Sequence, residues 1–390
     1  MHSRLLLLAT VGLLCALPAA AAAVPPPPGG IPWSPTWLAR FATPAPVGTP
    51  SVAIPSDRRR LRLDRIIGGA ISPKSVVATG TGEVWAQNET FRHTVTVYGS
   101  HGSLLRTISD RVILSHFGYR SWSSPVNGGP VEAAVSPDTR FVYVSQHSMY
   151  GPGFARPAPM SPECSPANGY DRSFVYRIAR ASRRVTAAYR VGSVPKAMAV
   201  TPDGGTLLVS NWCSYDLSVV DLARGREVRR IHLGPYPRGI VVTPDGAAAW
   251  VAVMGSSDLA RIDLRTWHVS WLRDVGWNPR SLVIDPAGAY LYVTLDLRDE
   301  VVRIDLARRR VVARVHTGAE PRSMAISSDG RSLYVGNYED DTVVKLRARD
   351  LRILQRVVVP GDPIGIAYEP VRDTVWVASY QGAIRVFRDR

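Results

Sequence analysis

Short runs of alternating hydrophobic and polar residues recur along most of the chain, and tight turns separate them. In the unit that begins at Pro195, four such runs occupy positions 197–200, 206–210, 217–222 and 228–233. A period of two residues is typical of β-strands, and the Asp-Gly and Arg-Gly steps between the runs are typical of hairpin turns. Each unit therefore predicts a four-stranded antiparallel meander.

This four-strand unit repeats with a constant period. From the third copy onward, each opening proline stands 42 residues before the next, and two less regular copies precede them. A single sheet of this kind cannot bury both of its faces, whereas sheets packed radially around an axis can. The repeat therefore predicts an all-β fold, a seven-bladed β-propeller, with blades that start near Pro73, Pro130, Pro195, Pro237, Pro279, Pro321 and Pro363.

The two ends of the repeat array complement each other. The unit that opens at Pro363 contains only three runs before the chain ends, and the segment 61–72 reads like a fourth run that has no unit of its own. An open array would leave two exposed edge strands, including an unpaired 61–72 segment. We therefore expect the N-terminal segment to complete the last blade and close the ring.

The units also resemble a known repeat. They share an opening of the form P-x-x-[IVL]-x-[VI]-x-P-D-G, followed by text such as TPDGGTLLVSN with DLSVVDL and SSDGRSLYVGN with DDTVVKL. These strings resemble the YVTN-type β-propeller repeats, which include lactonase-like seven-bladed propellers. The resemblance covers residues 61–390. It implies the fold but no particular activity, because such repeats occur in exported proteins of many roles.

The N-terminal sixty residues have a different composition. Arg4 precedes an apolar run at 5–17 and a run of small residues at 19–23, which together predict a signal peptide over 1–23. Leu14 stands before Cys15 inside the apolar run, which argues against lipoprotein processing. Residues 24–60 are rich in proline and predict an extended linker before the propeller at 61–390. No later run is long enough to span a membrane, so we expect a secreted, extracytoplasmic protein.

The chain is strongly basic, with a formal net charge of +15 and a pI near 10.2. Nearly all of its cations are arginine, and the lysines are Lys74, Lys196 and Lys345. Such a charge can attract nucleic acid or another polyanion. It is equally compatible with a generally basic surface, because the arginines are scattered through turns and strand edges.

Two long insertions are predicted to emerge on the same face of the ring. They occupy 111–129, between the first two blades, and 148–170, inside the second blade, and both contain aromatic residues beside arginines. Loops on a rigid scaffold often carry function, so this face is predicted to meet a ligand or protein partner, with Trp122 and Tyr150 as candidate contacts. The alternative is that these aromatics form a small core of their own.

A ring of cations is predicted around one mouth of the central channel. The residue after the opening proline is basic in five of the seven units: Lys74, Lys196, Arg238, Arg280 and Arg322. Such a ring would concentrate an anionic ligand. Alternatively, these cations pair with acids of the neighbouring loops, such as Asp216, Asp258, Asp299 and Asp341.

His147 and Trp212 complete the candidate ligand-binding residues. His147 ends a second strand beside the longer insertion, and Ser145 stands two residues before it. A histidine near a serine suggests nucleophilic chemistry, but no orienting acid is assignable from the sequence. We therefore predict no catalytic residue.

Cys164 and Cys213 are the cysteines that remain after the predicted signal. An even number in an exported chain suggests a disulfide, and the repeat register places the two in loops of adjacent blades on one face. Two cysteines without matched histidines do not form a tetrahedral metal set, so neither a metal site nor a cofactor is predicted.

Taken together, these features favour an exported, monomeric binding or protein-interaction module without a recognised catalytic site. Two alternatives stay open. Fold analogy allows a lactonase-type or lyase-type enzyme that uses the channel mouth, and the cationic ring allows a polyanion or nucleic-acid binder.

Overall fold

Seven four-stranded antiparallel sheets form the blades of a β-propeller, as the repeat predicts. The structure is a computed structural model that describes residues 54–90, 92–160 and 163–390. The predicted signal peptide at 1–23 and most of the predicted linker at 24–60 lie outside these residues. None of the helices in the described ranges is long and apolar enough to cross a membrane.

The ordering of strands is the same in every blade, from an innermost first strand to an outermost fourth strand. A strand that precedes all blades is β1 (Leu61–Ile67). The first blade contains β2 (Pro73–Ala78), β3 (Glu83–Asn88), β4 (Thr94–Gly99) and β5 (Leu104–Ser109). After a short hairpin of β6 (Val112–Ile113) and β7 (Pro125–Val126), the second blade contains β8 (Pro130–Val135), β9 (Phe141–Gln146), β10 (Phe174–Ala179) and β11 (Arg184–Arg190).

The next four blades follow the 42-residue period. The third and fourth blades are β12 (Pro195–Val200), β13 (Thr206–Asn211), β14 (Asp216–Asp221), β15 (Arg226–His232), β16 (Pro237–Val242), β17 (Ala248–Val253), β18 (Leu259–Asp263) and β19 (Val269–Leu272). The fifth and sixth are β20 (Pro279–Ile284), β21 (Tyr290–Leu295), β22 (Glu300–Asp305), β23 (Arg310–His316), β24 (Pro321–Ile326), β25 (Ser332–Asn337), β26 (Thr342–Arg347) and β27 (Ile353–Val358). Single 3-10 turns lie at Ser56–Arg58, Leu114–Phe117, Pro166–Asn168 and Asp296–Arg298.

The last blade confirms the predicted ring closure. It contains β28 (Pro363–Glu369), β29 (Thr374–Ser379) and β30 (Ala383–Asp389), and β1 adds to β30 as its fourth strand. The pairing is antiparallel and runs from Leu61 opposite Asp389 to Ile67 opposite Ile384. The first and last strands of the propeller therefore share one sheet, so that neither leaves an open edge at the junction.

A buried ion pair fastens this closure. Lys345 and Asp389 contact each other with both side chains wholly inaccessible to solvent. The Lys345 ammonium also donates to the carbonyl oxygens of Ser56 at 2.7 Å and Arg59 at 2.9 Å, and the Tyr334 hydroxyl donates to Asp389 at 2.6 Å. A buried charge is tolerated when its hydrogen bonds are satisfied, so this group joins the N-terminal segment to the last two blades.

Burial along the strands explains why the blades need one another. In β13, β21 and β25 nearly every residue is buried, whereas in the outer strand β23 half-buried and exposed positions alternate. The apolar clusters lie between neighbouring blades: one of them joins Val219 of the third blade to Val251 of the fourth. The hydrophobic core is therefore a ring of blade interfaces, which only the closed array can complete.

The two insertions pack against each other on one face. Their backbones meet where Asn127 donates to Tyr150 at 2.9 Å and Tyr150 donates back at 2.7 Å. The aromatic residues of both insertions surround Phe174 of the second blade in a cluster that includes Phe117, Tyr119, Trp122 and Phe154. The aromatics of the two insertions therefore form a small core of their own, which is the alternative interpretation of the sequence.

Candidate ligand-binding site

Every innermost strand carries an irregularity directly after its opening proline. In β12, Pro195 pairs with Asn211 while Met198 pairs with Val209, so that two residues of the first strand stand opposite one of the second. The other blades repeat this shift. A β-bulge turns a side chain away from the regular pleat. The bulge is the local reason why the residue after the proline points into the central channel.

These bulges bring the five predicted cations into one place. A cavity of about 750 Å³ at the channel mouth is lined by Lys74, Lys196, Arg238, Arg280 and Arg322. A second cavity of about 350 Å³ continues deeper along the innermost strands, and it shares the three arginines with the first. The arginines thus mark the boundary between the mouth and the deeper channel.

A second ring of side chains completes the mouth, and only two of its members, His147 and Trp212, are predicted from the sequence. It consists of the first residue of each loop between the second and third strands. In six of the seven blades these residues line the cavity: Glu89, His147, Trp212, Met254, Asp296 and Tyr380. From the second blade onward each stands 17 residues after the opening proline, so the repeat register was the signal that could have identified this ring.

The backbone that holds this second ring is strained at a recurrent position. The residue before the opening proline adopts a left-handed conformation, with φ of 56° at Val194, 60° at Tyr236 and 61° at Asn278. That conformation is costly for a β-branched residue such as Val194. Its carbonyl oxygen accepts a hydrogen bond from the loop residue, as Val194 does from Trp212 at 2.9 Å. The strain is therefore located at the cavity wall.

The three arginines have acidic partners, although not the ones the sequence suggested. Arg238 contacts Glu132 at 2.8 Å, Arg280 contacts Asp296 at 3.2 Å, and Arg322 contacts Glu320 at 2.5 Å. Arg322 also lies over the Tyr338 ring, 3.5 Å from its centre.

The four loop acids named in the sequence analysis lie elsewhere. Asp216 contacts Arg230 at 3.4 Å, Asp258 contacts Arg273, and Asp299 contacts His316 at 3.8 Å. Asp341 accepts a hydrogen bond from the Asp362 backbone at 2.8 Å. They stand at or near the start of third strands, where three of the four meet side chains of the fourth strand and not the channel.

The pairing of the arginines leaves some donors unused. Arg238 Nη1, Arg280 Nε and Arg322 Nε are buried and have no hydrogen-bond acceptor among the described residues. A buried donor without a partner costs free energy, and an anion in the cavity can satisfy it once the arginine side chain turns toward the cavity.

Glu89, His147 and Lys196 form a buried contact group on one side of the mouth. His147 Nδ1 lies 3.2 Å from Glu89 Oε1 and 3.2 Å from Lys196 Nζ, while Nε2 lies 3.2 Å from the carbonyl oxygen of Pro159. An ammonium can only donate, so an imidazole that accepts from Lys196 carries its proton on Nε2, whereas an imidazole protonated on Nδ1 donates to Glu89. In the first of these two arrangements, with the proton on Nε2, neither Glu89 oxygen receives a hydrogen bond from the described residues, although the side chain is buried.

The electrostatics of the mouth follow from burial and crowding. Burial is the largest effect on the lysines and lowers the pKa of Lys74 to about 7 and the pKa of Lys196 to about 8, although Glu89 opposes both shifts. Burial also lowers the pKa of His147, and Lys196 adds to that shift. Burial alone would raise the pKa of Glu89, but the contact with His147 and the charges of Lys196 and Lys74 lower it to about 2.

Of the remaining predicted site residues, Trp212 lines the cavity whereas Trp122 and Tyr150 do not. The Trp212 ring lies 4.7 Å from Tyr236 in the cavity wall. The Trp122 ring stacks on Phe154 at 5.5 Å, and Tyr150 meets His93 edge-on at 5.9 Å. The sequence placed all three on the correct face but could not tell how far each insertion reaches toward the axis.

The serine next to His147 is not positioned as a nucleophile. Ser145 is wholly buried, and its hydroxyl donates to the carbonyl oxygen of Lys196 at 2.9 Å. The hydroxyl is therefore committed to the interface between the second and third blades.

The longer insertion forms one wall of the cavity, and a disulfide attaches it to the next blade. Met160 and Glu163 of the insertion line the mouth. The Cys164–Cys213 disulfide is present, as predicted, with a Cα–Cα distance of 5.3 Å. Ala158 and Val194 pack with the two cysteines. The cross-link therefore joins the wall made by the insertion to the loop that carries Trp212.

Comparisons with known proteins support the propeller fold and do not identify the family of this chain. Residues 279–365 match the family model described as the Cytochrome D1 heme domain. The match covers the fifth and sixth blades and the opening of the seventh. No curated protein matches the chain. Among solved structures, Kuenenia stuttgartiensis hydrazine synthase is similar with a TM-score of 0.63 and 19% identity, over 83% of this chain and 97% of that chain. The propeller is thus shown, whereas membership of the YVTN repeat family stays a prediction.

The match to a haem domain prompts the question of whether this cavity fits a haem. Haem iron takes an axial His, Cys, Met or Tyr ligand. Within 279–365, His316 lies exposed on the outermost strand of its blade and Met324 is buried between blades. In the cavity, both nitrogens of His147 already have contacts. The other residues of axial-ligand type in the lining are Met160, Met254, Tyr236 and Tyr380, and the feature that distinguishes this mouth is its five cations, which suit an anion.

Proposed function

We propose that this protein is an exported binding protein that holds a small anionic ligand in the channel mouth. The observation that carries the proposal is the convergence of five cations from five blades on one cavity. Three of them present buried N–H groups without an acceptor in the described part of the chain. A carboxylate or phosphate supplies acceptors for such N–H groups.

The shape of the site favours a small ligand over a long polymer. A volume of about 750 Å³ lies within the range of small-molecule sites. Arg280 and Arg322 are half-buried and Arg238 is buried, so a bound anion must enter the cavity to reach them. A polyanion lying across the face would instead meet the loop residues that surround the mouth.

The described residues that precede β1 contact the face of the propeller opposite the mouth. Ser56 donates to Asp329 at 2.6 Å, and Asp329 belongs to a turn between first and second strands. Those turns lie on the face opposite the mouth. Ser56 therefore contacts the propeller on the side away from the mouth.

Isothermal titration calorimetry on the mature chain tests the proposal. The panel contains acetate, oxalate, citrate and inorganic phosphate, and the variant is Arg238→Gln/Arg280→Gln/Arg322→Gln. We expect the best ligand to lose at least about tenfold in affinity, because each buried charge-assisted hydrogen bond contributes about 1.5–3 kcal/mol. The matched control changes three exposed arginines outside the cavity, Arg62→Gln/Arg226→Gln/Arg310→Gln, with the same change in net charge.

The control separates a built site from general electrostatics. If both triple variants lost the same amount of ligand affinity, the polyanion hypothesis would replace this proposal. Binding of duplex DNA in preference to every small anion would have the same consequence. Binding of no anion by the unmodified chain would overturn it.

A second function, general-base catalysis, is favoured by one observation. His147 has an acidic neighbour, Glu89, that the sequence did not reveal. This supports the lactonase-type or lyase-type alternative with His147 as the base. Hydrolysis of a lactone panel by the unmodified chain and its loss in His147→Ala would support that function, and an inactive unmodified chain would exclude it for those substrates.

A further inference from the structure

The use of lysine in this chain is selective. Of 47 basic residues, three are lysines, and two of these, Lys74 and Lys196, line the channel mouth. They occupy the position after the opening proline, where the fourth, fifth and sixth blades have arginine. If the mouth required only positive charge, arginine would serve in all five blades.

Lysine differs from arginine in one respect that matters here. A guanidinium stays protonated, whereas a desolvated amine near other cations can lose its proton and act as a nucleophile. Lys74 is in such an environment, and burial lowers its pKa to about 7. The charged and titratable groups that surround it come from several blades: Glu89, Lys196, Arg238, Arg280 and Tyr380.

The three lysines have different partners. The Lys345 amine is hydrogen-bonded to Asp389 and two carbonyl oxygens, and the Lys196 amine donates to His147 at 3.2 Å. The Lys74 amine lies over the Tyr380 ring, 5.2 Å from its centre, and forms no ion pair within 4 Å in the described ranges. Lys74 is thus the amine with the fewest constraints, and it lies inside the cavity.

We propose that Lys74 captures the carbonyl carbon of an oxo acid, an aldehyde or ketone that also carries a carboxylate, as a reversible imine. The inference rests on the proposed function, because the carboxylate of such a ligand would be held by the arginines that bind anions. Glu89 completes the site. It is buried beside His147 with no hydrogen bond to either carboxylate oxygen in the described part of the chain, and it supplies a counter-charge.

The chemistry balances without an external reagent. The lone pair of the neutral Lys74 amine forms a bond to the carbonyl carbon, the C=O π pair moves to oxygen, and proton transfer gives a carbinolamine. The C–O bond then breaks, and the leaving hydroxyl takes a proton from the Lys196 ammonium and departs as water. The products are one water and a protonated imine, whose positive charge faces Glu89. Lys196 recovers its proton from solvent, and no group is oxidised or reduced.

Reductive trapping tests the inference directly. The mature chain is incubated with glyoxylate and sodium cyanoborohydride, and the adduct is located by intact mass and peptide mapping. We expect one adduct, at Lys74, with a labelling rate that rises about tenfold from pH 6 to pH 8. Acetate and oxalate, which have no aldehyde or ketone carbonyl, should compete for the site without forming an adduct.

Two substitutions give matched controls that preserve positive charge. Lys74→Arg places at this position the residue that three other blades already carry, so the fold should tolerate it. It should abolish trapping, and oxalate affinity, measured in parallel, should fall by less than in the arginine triple variant. Lys196→Arg removes the other amine of the mouth and the proton donor to the leaving hydroxyl, so trapping should slow while the adduct stays on Lys74.

The outcomes separate this inference from the proposed function. Oxalate binding without a Lys74 adduct would overturn the imine and leave the anion site standing. Equal labelling of all three lysines, or trapping that survives Lys74→Arg, would also overturn it. Loss of both oxalate binding and trapping in the unmodified chain would remove the two proposals together.

Discussion

The molecule buries lysine in two places, and the two places are built differently. At the ring closure, Lys345 has a carboxylate partner and two carbonyl acceptors, and no part of the ion pair is open to solvent. At the channel mouth, Lys74 and Lys196 are half-buried among three arginines, and the nearest acid, Glu89, is outside ion-pair distance of both in the described residues.

The difference shows that a buried charge has one of two roles, to stabilise the scaffold or to act on a ligand. A charge that is fully paired and hydrogen-bonded fixes one arrangement of the chain and has nothing left to offer a ligand. A charge that is desolvated without a close partner costs stability, and proteins tend to retain such groups where they act on another molecule. By this criterion the closure is scaffold, and the mouth has the character of the proposed site.

Lys345→Met is expected to have the largest effect on stability. It leaves the Asp389 carboxylate buried without its cation, and breaking a buried pair in this way costs about 3–5 kcal/mol. Urea unfolding followed by tryptophan fluorescence measures the loss. The matched variant Lys74→Met removes a lysine that has no close acid, and it should leave the free energy of unfolding unchanged or higher. Equal losses in both variants would contradict the comparison.

The second-largest effect on stability is expected from removal of the disulfide that attaches the longer insertion to the third blade. Replacing Cys164 and Cys213 by serine removes a cross-link between positions 49 residues apart, and the loop-closure estimate for such a separation is about 3–4 kcal/mol. The unfolding free energy should fall by that amount, and the affinity for an anionic ligand should fall as well. A stable variant with unchanged affinity would show that the insertion is positioned without the disulfide.

Two separate tryptophans test the comparison between scaffold and site at the level of single side chains. Trp122→Ala should cost about 2–3 kcal/mol, because its ring packs on Phe154 and lies under Arg190, but it should not change ligand affinity. Trp212→Ala should weaken ligand binding, because its ring lines the cavity. Thermal unfolding and calorimetry on both variants measure the two effects. Affinity loss in Trp122→Ala alone would place the site among the insertions instead.

The smallest expected effect is a dependence of stability on pH. Lys74 and Lys196 have pKa values of about 7 and about 8 in the fold and ordinary values near 10.4 in the unfolded chain. Between these limits the unfolded chain binds more protons, so stability should rise with pH from about 7 to about 10. Contact with solvent screens the effect, and we expect about 1–2 kcal/mol in total.

Urea unfolding at pH 7 and pH 9.5 measures this slope. In Lys74→Met/Lys196→Met most of the increase should disappear, since the groups that release their protons on folding are gone. An unchanged slope in the double variant would assign the pH dependence to other groups.

The sequence by itself determined the architecture. A 42-residue period, seven opening prolines and a lone fourth-strand segment at 61–72 suffice to predict a closed ring, because strand length and alternation are local properties of the chain. The same register placed Cys164 beside Cys213, and it placed the five cations around one mouth. Each of these inferences uses equivalence between repeats, which a sequence displays directly.

The tertiary structure alone decided the contacts between blades. Arg238 meets Glu132 across 106 residues of chain, and Glu89 meets His147 from a different blade. Such pairs depend on how blades are rotated around the axis and on bulges that redirect single side chains, which no local pattern records. The insertions illustrate the same limit, since Trp122 and Tyr150 lie on the correct face but away from the cavity. Periodicity fixes which face a residue belongs to, whereas the distance from the axis is set by packing.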